Sequence, residues 1–114
     1  MPVSDSYRDF VLEQLARVTP DIRSRRMFGG VGIYAGPHFF ALMDDDLLYF
    51  KVDDSNRPDF EAAGMGPFRP GGPDGEVMQY YQVPEELLED TDALAGWVEK
   101  AVAVARTKGG RRKG

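Results

Sequence analysis

Residues Gly30-Val31-Gly32-Ile33-Tyr34-Ala35 satisfy the pattern G-x-G-x-x-A. Asp53 follows about twenty residues on, the spacing of a dinucleotide site. Such a site works when an apolar strand delivers the glycines to a helix N-terminus, whose free amides hold a pyrophosphate. Here Arg25-Arg26 precedes the glycines and Gly36-Pro37 follows the pattern, so no helix can start there. The segment is therefore expected to be a glycine-rich strand entry or bulge. A small-ligand or nucleotide-binding enzyme would rest on this pattern alone.

The other reactive side chains are poorly arranged for chemistry. Asp44-Asp45-Asp46 and Asp53-Asp54 offer oxygen ligands for a hard cation, but a calcium loop needs alternating ligands and a glycine. The triplet runs straight into Leu47-Leu48 and is expected to be a solvated hairpin turn, with Asp54 or Ser55 capping a helix. His38 stands alone beside Pro37, and with no cysteine or second histidine it cannot complete a zinc site. None of the four serines sits in a G-x-S-x-G elbow. The sequence thus predicts no catalytic set, no metal and no cofactor.

Binding chemistry is better represented. Tyr34, Tyr49, Lys51, Arg25 and Arg26 mix aromatic and basic groups suited to a contact platform, provided that they share the sheet face away from the helices. Arg106, Lys108, Arg111, Arg112 and Lys113 form a second basic set that can touch phosphate weakly and without sequence specificity. These five are the only charges in residues 106–114, which leaves nine basic and nineteen acidic groups in the first 105. The net charge of −5 therefore hides a body of −10 and a tail of +5. An acidic body repels polyanions, so a protein partner or a homodimer is the expected contact, and nucleic acid the alternative.

These groups must be positioned by a small set of elements. Ser4 or Ser6 caps a first helix whose apolar stripe is Phe10, Val11, Leu15 and Val18. Residues 31–35, 39–43 and 47–52 read as strands joined by tight turns, and 25–28 can extend the first across Gly29-Gly30. In the third, Leu48, Phe50 and Val52 are assigned inward. Ser55 caps a short helix that points Phe60 and Ala63 at the core and stops at Gly64. The segment 64–76, with five glycines and three prolines, allows Phe68 a short edge strand and then a mobile loop. Residues 77–83 form a last strand, and Asp90 caps a final helix with Leu94, Trp97, Val98, Ala101, Val102 and Ala105 in one stripe. The order α-β-β-β-α-β-β-α predicts an α+β fold in two layers, an antiparallel sheet with helices on one face. One domain over 1–105 and a disordered basic tail over 106–114 complete the expected organisation. With 114 residues and no cysteine, no membrane-spanning run and no leader pattern, the composition fits the cytoplasm.

The pieces RRMFGGVGIY at 25–34, FFALMDDDLLYFKVDD at 39–54, FEAAGMGPF at 60–68, MQYYQVPEELLED at 78–90 and the tryptophan-bearing final helix together resemble the N-terminal domain of the TfoX/Sxy family. The resemblance implies an α+β fold like that of secretion chaperones, and a role among bacterial regulators of competence and DNA-uptake genes. It implies no enzymatic activity and no cofactor. Full-length regulators of the family look like two domains, whereas this sequence ends after the first, so the resemblance implies a stand-alone adaptor. The positions matching the family motifs, Arg26, Phe28, Gly29, Gly30, Tyr49, Lys51 and Val52, have structural explanations as well, Gly29 and Gly30 by positive φ or close strand approach, and Phe28 and Val52 by packing.

Overall fold

The computed structural model describes residues 3–27, 30–68 and 79–111, of which 27 and 108–111 are described in backbone only. The first helix, α1 (Asp5–Val18), starts where Ser4 takes an extended conformation and its hydroxyl accepts the Tyr7 N–H at 3.3 Å. Asp5 in the first turn and Arg17 in the last complement the helix dipole. Two further bonds fix its tilt. The Ser4 N–H donates to Asp46 Oδ1 at 2.7 Å, and Gln14 Nε2 donates to the Leu88 carbonyl at 2.6 Å.

Four strands follow in an uninterrupted antiparallel meander: β1 (Ile22–Met27), β2 (Gly30–Ala35), β3 (His38–Asp44) and β4 (Leu47–Lys51). The stretch around Arg25 does not extend β2. It forms a strand of its own, because the chain reverses between Met27 and Gly30 and pairs Arg26 with Val31. The β2–β3 turn uses Gly36 at φ +59° ahead of Pro37. The β3–β4 turn uses Asp45 and Asp46 at φ +53° and +56°, a left-handed pair that aspartate tolerates and that matches strand twist. The carboxylate triplet is thus a hairpin turn, as its sequence predicts. After the short helix α2 (Arg57–Ala62), β5 (Tyr80–Gln82) closes the sheet beside β4 in the order β1-β2-β3-β4-β5. Pro67 bridges to Tyr81 on the outer side of β5, and the Phe68 N–H donates to the Tyr80 carbonyl at 2.7 Å. The rest of the glycine- and proline-rich segment, 69–78, lies outside the described residues.

A 3-10 turn at Glu85–Glu89 leads into α3 (Thr91–Arg111), where Asp90 caps through its side chain to the Ala93 N–H at 3.2 Å. α3 is helical to Arg111, past the boundary drawn at 105 from composition, and 112–114 lie outside the described residues. All three helices pack on one face of the sheet, which makes the two-layer α+β arrangement expected from the element order. Leu94, Val98 and Ala101 of α3 and Val11 and Leu15 of α1 meet Ile33, Met43, Leu48, Phe50 and Val52 in a core with almost no solvent exposure.

Three local expectations are corrected. Phe10 is 39% exposed, because it lies about 100° round the helix from Val11, at the centre of the buried stripe. Ala63 is the exposed C-cap of α2, and only Phe60 enters the core from that helix. The N-cap position of α2 belongs to Asn56 rather than Ser55 or Asp54, and it makes no side-chain cap bond to the helix. Its buried amide instead accepts the Asp53 N–H at 2.9 Å and donates to the Lys51 carbonyl at 3.0 Å, tying the end of β4 to the start of α2.

Candidate interaction surface

The G-x-G-x-x-A pattern is β2 itself, an all-extended strand that ends in a hairpin turn, so no helix amides converge on it. Gly30 is needed for another reason. A Cβ there would lie 2.4 Å from the Met43 carbonyl oxygen on the neighbouring strand. Among the described residues no three histidine, cysteine, aspartate or glutamate side chains form a group able to hold a metal ion.

The face of the sheet turned away from the helices carries the unabsorbed chemistry, and strand register divides it into three rows. Arg23, Tyr34, Phe39, Lys51 and Tyr80 make the first. Arg25, Gly32, Leu42, Tyr49 and Gln82 make the second, and Gly30, Asp44 and Leu47 the third. The first row is an aromatic cluster around a cation. Tyr34 stacks on Phe39 at 5.0 Å, Phe39 meets Tyr80 at 5.8 Å, and Lys51 Nζ sits 5.8 Å from the Phe39 centroid and 5.5 Å from that of Tyr80. Tyr49 in the second row packs against Phe68 at 4.7 Å.

Burial favours the neutral form of two of these phenols, Tyr80 and Tyr49. The Tyr80 hydroxyl is pushed up to about 12, first by burial and then by Tyr34. Burial, with Asp44 and Asp45 adding to it, also raises Tyr49 above the usual tyrosine value.

Four of the five predicted surface residues, Arg25, Tyr34, Tyr49 and Lys51, share this open face. Arg26 does not. It pairs with Val31, whose side chain is in the core, so it projects to the helix side of edge strand β1. Of the basic tail, Arg106 is exposed on α3, while the side chains of Lys108, Arg111, Arg112 and Lys113 lie outside the described residues. Sequence reasoning missed Phe39. A bulge between Ile33 and Tyr34 pairs Tyr34 with Phe39 instead of Phe40, which sends Phe39 to the open face and Phe40 to the core. The glycine-rich segment 30–35 is expected to hold a strand entry or bulge, but nothing in the residue pattern places the shift at Ile33/Tyr34 or the extra residue at Phe40.

The family model described as the TfoX N-terminal domain matches residues 13–105, a span that contains every described strand, the C-terminal part of α1 and most of α3. No curated protein matches the chain significantly.

Proposed function

Because the chain belongs to the TfoX N-terminal domain family, we propose that it is a non-enzymatic regulatory module that works in the cytoplasm through protein contacts made by its open sheet face. The observation that carries this reading is the row of Tyr34, Phe39, Lys51 and Tyr80 on a face where no helix among the described residues packs. Aromatic side chains with polar tips, interleaved with basic groups, are the composition of protein contact surfaces. The resemblance to TfoX/Sxy regulators supplies the process, control of competence and DNA-uptake genes. The cysteine-free sequence supports a reducing compartment.

Transcript profiling tests it. A strain deprived of the chain is expected to show altered levels of a defined gene set, restored by the wild-type chain and not by a folded Leu42→Arg variant, which puts a charge in the middle of the face. Unchanged transcripts would refute the regulatory role. Full rescue by Leu42→Arg would move the working surface elsewhere.

A further inference from the structure

The sheet ends in two unlike edges. Beyond β5, Pro67 bridges to Tyr81 and the Phe68 N–H donates to the Tyr80 carbonyl, whereas nothing among the described residues pairs with the outer side of β1. The Gly36 N–H donates to the Asp21 carbonyl at 2.9 Å, and the alternation that follows fixes the rest of β1. It turns the backbone groups of Arg23 and Arg25 to β2 and those of Ile22, Ser24 and Arg26 outward. Such an edge is a template for one more strand. Here it also borders a groove of about 420 Å³ between β1 and α1, lined by Leu12, Ala16 and Ile22 together with Ser24, Asp9 and Glu13. We propose that β1 takes up an extended, acidic segment of a partner protein as an added strand, with one apolar side chain of that segment seated in the groove. This surface is separate from the aromatic row around Lys51.

Register fixes what each position of the segment meets, because residues opposite each other in a ladder point to the same side. Ser24 pairs with the buried Ile33, so the residue added opposite Ser24 turns to the helix side and enters the groove. Its neighbour opposite Arg25 turns to the open side, and the next, opposite Arg26, returns to the helix side. Arg25 and Arg26 are exposed, and neither has an ion pair with a described residue. Arg23, by contrast, is held by Asp21 at 3.1 Å. Acidic side chains are therefore matched to the two positions opposite Arg25 and Arg26. Asp9 and Glu13, bonded to Arg8 and Arg17, line the groove itself and favour an uncharged side chain there. A second copy is the poorer occupant. Every antiparallel register in which the outward groups of two β1 strands meet over three or more residues sets an arginine opposite an arginine. A nucleic acid has no backbone N–H to give the outward carbonyls, and its phosphates would lie beside Asp9 and Glu13.

Fluorescence anisotropy on the full chain tests the proposal with a labelled, capped peptide, Thr-Glu-Glu-Val-Thr-Val. It is written to lie antiparallel to β1 with its first valine opposite Ser24 and its glutamates opposite Arg25 and Arg26. Binding is expected in the micromolar range, and lysine in place of both glutamates should weaken it at least roughly tenfold. Arg25→Glu combined with Arg26→Glu should weaken the glutamate peptide by a similar factor and reverse the preference. Ser24→Pro removes an outward N–H that the sheet itself does not use, so thermal melting is expected to stay near that of the wild type while binding is lost. If that variant fails to fold, N-methylation of the peptide's first valine removes the reciprocal bond and should likewise abolish binding. No binding at about 1 mM peptide, equal binding of the lysine peptide, or indifference to both Ser24→Pro and N-methylation would overturn the proposal. So would displacement of the peptide by a single-stranded oligonucleotide with a steep salt dependence, or self-association of the chain that Ser24→Pro abolishes.

Discussion

The two faces of one strand divide the work of this molecule. On the helix side of β4, Leu48 and Phe50 are 2% and 0% exposed, while on the open side Leu47, Tyr49 and Lys51 keep part of their surface in water. The alternating backbone separates them with no change of element. The helix side is apolar and close-packed, with Phe50 touching Phe40 and Phe60, so its residues answer for stability. The open side is aromatic and charged, and in the function proposed above its residues answer for contact. A domain built this way can lose its open-face chemistry and still fold.

Substitutions sharpen that contrast. Phe50→Ala empties the centre of the core and is expected to cost about 3–5 kcal/mol in denaturant unfolding. Gly30→Ala forces a Cβ against the Met43 carbonyl and should cost about 1–3 kcal/mol by the same measurement, although it lies on the open face. That single position breaks the division, because backbone approach rather than side-chain packing decides it. Asn56→Ala leaves the Asp53 N–H and the Lys51 carbonyl without their partner and is expected to cost about 1–2 kcal/mol.

Alkaline pH reads the half-buried Tyr7 phenol and the buried Tyr80 phenol. Tyr7 and Tyr80 are both raised to about 12 by burial, Tyr7 further by Glu85 and Asp46, and Tyr80 by Tyr34. Above pH 10 the unfolded chain loses these protons before the folded one does, so stability is present below pH 10 and falls as pH rises towards 12. Tyr80→Phe should flatten that fall in thermal melts recorded from pH 9 to 12. The smallest effect is expected for Tyr34→Ala, at most about 1 kcal/mol in unfolding. A cost as large as that of Phe50→Ala would place Tyr34 in the core and erase the distinction between the faces.

Much of the helix side was legible in the residues. Leu48, Phe50 and Val52 alternate with polar neighbours, and Leu94, Val98, Ala101, Val102 and Ala105 recur at helical spacing, so periodicity alone assigns their faces. The open face was only partly legible. Tyr34, Tyr49 and Lys51 follow from the same alternation, but Arg26 was placed beside Arg25 although neighbours in a strand point to opposite sides. Asn56 gave no signal, since its two bonds form only once β4 and α2 meet.

What the sequence determined by itself is the set of elements, their layers and the residues that fill the core. Those depend on local spacing and on turn residues such as Gly36 and the aspartate triplet, which act over a few positions. Tertiary structure decided which rings gather round Lys51. One extra residue in β3 exchanges the sides of Phe39 and Phe40, and a bulge is set by how two strands twist and pair rather than by either strand's own pattern.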